Sequence, residues 1–116
     1  MDQESEIKRQ NAMEAASSGR FATAEKLFVE LTETHKYNPD LLCELASLRR
    51  HMQKNREAAE DYFKAGEMFM RAGMGANALS ALRECLEIHP NHGAAKRLRS
   101  ILLEKAMRKF DRDYQF

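Results

Sequence analysis

The sequence predicts an all-α domain of about six antiparallel helices paired as three helical hairpins. Composition is the first reason. Charged residues make up 32% of the 116, aromatics 8%, and there are five glycines, two prolines and no tryptophan. Strong helix formers dominate, while the β-branched residues that favour strands are scarce. Apolar residues also recur at three- and four-residue steps along almost the whole chain, the period of one helical face. Breaks in that pattern come at regular intervals, at Gly19, Asn38-Pro39, Lys54-Asn55, Gly73-Met74-Gly75 and His89-Pro90-Asn91. The length suits one hydrophobic core, so residues 1–116 form a single domain.

The breaks place helices near 5–17, 20–35, 39–52, 55–72, 75–88 and 92–109. Gly19 separates the first two. Asn38 is suited to cap the third, with Pro39 at the first helical position, where its missing N–H is no loss. Gly73 and Gly75 can take positive φ and end the fourth. Pro90 cannot continue the fifth. The sixth is a capping helix over 92–109, and residues 110–116, which mix charges and aromatics without an apolar period, are expected as an irregular tail.

Lys plus Arg number 19 against 18 Asp plus Glu, so net charge supplies no general pull toward nucleic acid or an anionic membrane. Residues 1–6 offer neither a basic start nor an apolar run, and no stretch has the length of a membrane span. Cys43 and Cys85 lie inside apolar helical patterns and are expected as reduced, buried thiols. These readings together point to a cytoplasmic protein that does not engage a membrane.

The spacing of the breaks is about half of a 34-residue repeat. Tyr62, Ala65, Gly66, Phe69, Ala78, Leu82, Cys85 and Pro90 reproduce a series of small and bulky positions that resembles the tetratricopeptide repeat (TPR) family. Gly66 and Ala78 are small where two helices would touch most closely, and Tyr62, Phe69 and Leu82 fill the space beside them. A second match runs from Leu42, Leu45 and Ala46 through Ala58, Tyr62 and Ala65, and a third uses Ala12, Gly19, Ala24, Phe28 and Leu31. Repeats thus fall near 5–38 and near 39–72, 59–92 or both. Ala24 and Ala58 are 34 residues apart but Ala58 and Ala78 only 20, so the fourth helix must serve two hairpins. Lys8 and Arg49 depart from the pattern, standing where bulky apolar and aromatic residues are usual. The resemblance implies a short right-handed solenoid.

It also implies binding of a peptide or helix of another protein in a concave groove, the role of a scaffold or adaptor and not of an enzyme. In one register the second, fourth and sixth helices line that groove, with Glu33, Phe63, Glu67, Met70, Arg97 and Ile101 as candidates and Phe63 with Met70 as partner anchors. In the other register it passes to the first, third and fifth helices, exposing Arg9, Met13, Ser47 and Arg50. A small TPR-type secretion chaperone, shielding an aggregation-prone helix, is the alternative. Uncovered ends of so short a stack could also drive homo-oligomerisation.

Other chemistry is thinly represented. Seven methionines, among them Met68, Met70 and Met74 around Phe69, read as core filler or as an adaptable helix-binding surface. Lys96, Arg97, Arg99, Lys105, Arg108 and Lys109 face only Glu104 in the last helix, which reads as a solvated face. An RNA-associated repeat is the functional alternative there, although stacking aromatics are not interleaved with the cations. Cys85, His89 and His92 have helical spacing but no evident fourth ligand, so neither metal nor cofactor is expected. A dicarboxylate clamp would use Arg9, yet Met13 stands where an Asn is wanted. No glycine-rich phosphate loop or nucleophile elbow is present.

Overall fold

The computed structural model describes residues 1–113. Among them the chain forms six helices and no strand: α1 Gln3–Ser17, α2 Phe21–Thr34, α3 Pro39–His51, α4 Asn55–Arg71, α5 Gly75–Ile88 and α6 Gly93–Asp113. Three of the starts are fixed by side-chain acceptors. Asp2 accepts from the Ser5 N–H at 2.8 Å, and Asn38 from the Leu41 N–H at 3.3 Å with Pro39 at the head of α3. His92 Nδ1 accepts from the Ala95 N–H at 3.1 Å at the start of α6. Each satisfies a first-turn amide that has no partner within its helix.

Three of the five connections are the same turn. Arg20, Lys54 and Met74 donate their N–H to the carbonyls of Ala15, Arg49 and Phe69, at 2.8, 2.8 and 2.9 Å. The residue before each donor is left-handed, with φ of 79° at Gly19, 61° at Gln53 and 76° at Gly73. Such closures return the orphan carbonyls of a helix end to backbone donors. The α2–α3 and α5–α6 connections differ: His35 and His89 donate to Leu31 and Cys85 at 2.8 Å, and a proline follows. α4 is therefore entered and left by the same turn. It is the second helix of one hairpin and the first of the next, as the 20-residue step from Ala58 to Ala78 requires.

α4 lies at the centre of the packing. Ala46, Tyr62, Ala65, Phe69, Ala78, Leu82 and Cys85 are buried in one core cluster that extends to Ala95, Leu98 and Leu102 of α6. Ala12, Ala24, Phe28, Leu31, Leu41 and Leu45 form a second, with α1, α2 and α3. The expected repeat positions Ala24, Phe28, Ala58, Tyr62, Ala65, Gly66, Phe69, Ala78 and Leu82 are all buried, whereas Pro90 is an exposed turn residue. A Cβ built on Gly66 would lie 3.0 Å from Leu82 Cδ2 and 3.6 Å from the Ala78 carbonyl oxygen, so a glycine lets α4 and α5 approach.

Polar partners show which way α4 faces. Tyr62 and Phe69 look toward a cleft between α3 and α5. Asp61 accepts from Arg49, which also reaches Glu25 of α2, while Glu60 and Phe63 meet His92 beside α6. The even-numbered helices therefore flank one another in one layer, with α1, α3 and α5 in the other.

Both departures from the repeat pattern become ion pairs. Lys8 Nζ lies 3.4 Å from Glu30 of α2. Arg49 donates from Nε to Glu25 at 3.0 Å and from Nη1 to Asp61 at 2.8 Å, joining three helices.

Two expectations need correction. Residues 110–113 are the last turn of α6 and not an irregular tail, because no Gly or Pro interrupts the helix formers after Gly93 and Arg108 pairs with Glu104 one turn away. Residues 114–116 of that expectation lie outside the described residues. Gly75 does not take positive φ; it opens α5, and Gly73 alone makes the left-handed step.

Candidate functional site

The outer face of the odd-numbered helices carries three connected depressions with α3 as their spine. The largest, about 760 Å³, lies between α3 and α5. Cys43, Ser47 and Arg50 form one wall, Asn77, Ser80 and Glu84 the other, and Tyr62 and Phe69 of α4 the floor. Ser47 and His51 are shared with a second depression of about 390 Å³, where Met13, Phe21 and Phe28 supply apolar surface. Cys43 is shared with a third of about 540 Å³ beside Arg9 and Glu44.

The helical period explains this face. On α5, Ala78, Ala81, Leu82 and Cys85 turn to the core, which leaves Asn77, Ser80 and Glu84 at three- and four-residue spacing on the open side. On α3, Leu41, Leu45, Ala46 and Leu48 are buried, and Cys43, Ser47 and Arg50 are left over. Small side chains at 43, 47, 76, 80 and 81 keep the cleft open above the two aromatic rings.

The cations at the face are already neutralised. Arg9 Nε lies 3.0 Å from both carboxylate oxygens of Glu44, and its Nη2 bonds the same group. That hydrogen bond and the carboxylate charge raise the Arg9 guanidinium above its ordinary value. Arg50 Nη1 spans the cleft to Glu84 at 2.8 Å, with Glu87 at 3.6 Å. Burial pushes the Cys43 and Cys85 thiols up to about 11, so neither is a thiolate nucleophile at neutral pH. Burial raises the Tyr62 phenol in the same way.

Arg9, Met13, Ser47 and Arg50, the odd-helix set read from the sequence, all line these depressions. The even-helix set is placed elsewhere, and none of its members lines the three. Phe63 and Met70 are half-buried against the core, with the Phe63 ring 4.9 Å from that of His92. Glu67 is half-buried, and Glu33, Arg97 and Ile101 are exposed. Asn77, Ser80 and Glu84 went unread in the sequence; the signal for them was the polar stripe opposite the core residues of α5.

Cys85 belongs to the core, and His92 spends Nε2 on Glu60 at 2.7 Å and Nδ1 on a backbone amide. Among the described residues no three His, Cys, Asp or Glu side chains converge as a metal site. No helix among them is long and apolar enough to cross a membrane. His35 and His51 act at helix ends, bonding Ser5 Oγ at 2.9 Å and the Ser47 carbonyl at 3.1 Å.

No protein-family model and no curated protein sequence matches the chain. Solved structures do. The Yersinia enterocolitica type III secretion chaperone SycD, in complex with a peptide of the translocator YopD, is similar at 22% identity over 94% of this chain and 97% of that one, with a TM-score of 0.51. The Sgt2 TPR domain from Aspergillus fumigatus is similar at 18% identity over 91% and 81%, with a TM-score of 0.51. The first TPR of Spaghetti (RPAP3), bound to the HSP90 peptide SRMEEVD, is similar at 16% identity over 92% and 96%, with a TM-score of 0.50. The fold is thus that of tetratricopeptide repeats, an all-α helical solenoid.

Proposed function

From a tetratricopeptide fold with an open cleft over two aromatic rings, we propose that this protein is a protein-binding module and not a catalyst, and that it takes a segment of another polypeptide along its odd-helix face. The observation that carries this reading is the cleft between α3 and α5, walled by small and polar side chains and floored by Tyr62 and Phe69. Its size suits one bulky side chain or a short stretch of chain. Two similar folds are described with peptides, of YopD and of HSP90. Notched walls and an apolar floor give a segment both an anchor and hydrogen-bond partners.

Charge narrows the partner. SRMEEVD ends in acidic residues, and a site for such a tail needs free cations. Here Arg9 is held by Glu44, and Arg50 by Glu84 and Glu87. An acidic tail would have to displace those carboxylates, whereas an apolar side chain over Tyr62 and Phe69 leaves them in place. The module therefore favours a segment with an apolar anchor over an acidic carboxyl terminus.

A dedicated chaperone is the second reading, favoured by the match to SycD along nearly all of both chains. The same cleft would then shield a client segment. A chaperone should be poorly soluble or dimeric alone and monodisperse with its client.

Ser47 and Ser80 are exposed on opposite walls, so Ser47→Arg with Ser80→Arg fills the cleft without touching the core. Wild type and this variant are compared by capture from a native extract with identification by mass, then by titration with peptides tiled from the captured protein. The wild type should bind one apolar-anchored peptide, at least tenfold tighter than the variant does and tighter than SRMEEVD. Equal capture by both proteins would remove the cleft from the reading.

A further inference from the structure

The second half of α6 carries an apolar stripe that does not point at its own core. α6 is 21 residues long, about 31 Å, yet its buried residues are Ala95, Leu98 and Leu102, all in the first half. Beyond them Leu103, Met107 and Phe110 are 47%, 62% and 58% exposed. At about 100° per residue, Leu103 and Met107 fall on one line about 120° around the helix from Ala95, Leu98 and Leu102, and Phe110 follows one turn on. A helix that merely capped the stack would need only the first line.

We propose that this stripe is the interface for a second copy of the chain, with the two α6 helices antiparallel. The charges favour that occupant and orientation. In an antiparallel pair related by a two-fold axis, like flanks meet. Placing Leu103 of one copy opposite Met107 of the other brings Arg99 beside Asp113 twice, once at each end of the overlap. Lys105, Lys109 and Arg112 fall on the far side of the helix, away from the partner. Arg108 is likewise turned away from the stripe and is paired with Glu104 of its own helix. In a parallel pair unlike flanks would meet, and Arg99 and Asp113 would stand about 21 Å apart along the axis, out of reach of each other. The interface lies on a different layer from the peptide cleft, so occupancy of one does not block the other.

Sedimentation equilibrium of the intact protein tests this across a concentration series. Wild type should associate to dimers, with dissociation in the range of about 1–100 µM for so short an interface. Leu103→Glu with Met107→Glu should weaken association at least tenfold while the helical circular dichroism is unchanged, since both residues are exposed. Arg99→Asp alone and Asp113→Arg alone should each weaken it, and the two together should restore it. The double swap keeps both apolar residues, so its recovery reads orientation and not folding. A monomer at all concentrations, an unaltered dimer in the Leu103/Met107 variant, or failure of the double swap to recover would overturn the proposal. Wild-type monomers that bind an acidic helical peptide through the stripe would overturn it in favour of that partner.

Discussion

Gly66 of α4 stands so close to Leu82 of α5 that a methyl group on it would lie 3.0 Å from Leu82 Cδ2 and 3.1 Å from Cγ. Leu82 has no exposed surface, so it has little room to move aside. Alanine at 66 gains about 1 kcal/mol of helix propensity but overpacks the seam by roughly 1–3 kcal/mol. Gly66→Ala should therefore destabilise by about 1 kcal/mol and Gly66→Val by about 3 kcal/mol, measured by urea unfolding. Leu82→Ala should cost less in the Gly66→Ala background than in wild type. Additivity to within about 0.5 kcal/mol would mean that the two positions do not press on each other.

Arg49 predicts a different kind of coupling. Its guanidinium, held by Glu25 and Asp61, is the polar joint between α2, α3 and α4. Arg49→Ala leaves Asp61, only 6% exposed, without its partner, at about 3 kcal/mol. Adding Asp61→Leu should recover most of that loss, because two charges then leave the interior together. Recovery of less than about 1 kcal/mol would show that Arg49 contributes by packing instead.

The same joint sets the acid response. Hydrogen bonding from Lys54, and then from Arg49, lowers the Glu25 carboxyl below its ordinary 4.5 despite partial burial. The unfolded chain then takes up this proton first as pH falls, so the contribution of Glu25 is present above about 4.5 and is lost as pH drops through its lowered native value. Asp61 has the opposite sign: burial raises it above its ordinary 3.8, against the pull of Arg49. Its contribution is fully present below 3.8 and fades as pH rises through the raised value. Glu25→Gln should thus reduce stability at pH 7 and flatten the acid limb below about pH 4.5, read by unfolding at a series of pH values. An acid limb as steep as wild type would exclude Glu25 as its source.

Much of the fold was legible because small residues mark close approaches: Ala24, Ala58, Gly66 and Ala78 locate the seams without knowledge of any distance. The double use of α4 was legible for the same reason, in the 20-residue step. Arg49 and Lys8 looked like defects because their partners lie 24, 12 and 22 residues away along the chain, where no periodic pattern links them. The proposed peptide face was harder to read. α4 carries rows that satisfy either register, and only the position of Asp61 and Phe63 on its two flanks decides which layer it joins. The end of α6 was misread because past Phe110 the described helix carries only Asp111, Arg112 and Asp113, so no apolar period marks its last turn.

The two thiols should separate by reactivity. Cys43 lines the cleft and is half-buried, while Cys85 is inaccessible in the core. With the Cys43 thiol near 11, roughly one molecule in a thousand is a thiolate at pH 8, and alkylation should rise about tenfold per pH unit from there. Mass spectrometry after iodoacetamide treatment should find slow labelling at Cys43, protected by a peptide bound in the cleft, and none at Cys85 until denaturant is added. Fast labelling of Cys43 at pH 7 would contradict the burial that suppresses its thiolate.

Gln53 occupies, at φ 61°, the turn position that Gly19 and Gly73 occupy in the equivalent connections. A side chain in that left-handed region costs about 1 kcal/mol, because Cβ crowds the following carbonyl. Glycine avoids the clash but loses more backbone freedom on folding, which returns part of the gain. Gln53→Gly should therefore stabilise by about 0.5 kcal/mol. Gly19→Ala and Gly73→Ala should each destabilise by about 1 kcal/mol, since nothing lies within 4 Å of a Cβ at either position and backbone strain is the only cost. Opposite signs at three copies of one turn would tie the effect to the left-handed step that closes each of them. A destabilised Gln53→Gly would mean instead that the Gln53 side chain makes a contact worth more than the strain, and that the α3–α4 turn is held differently from its two counterparts.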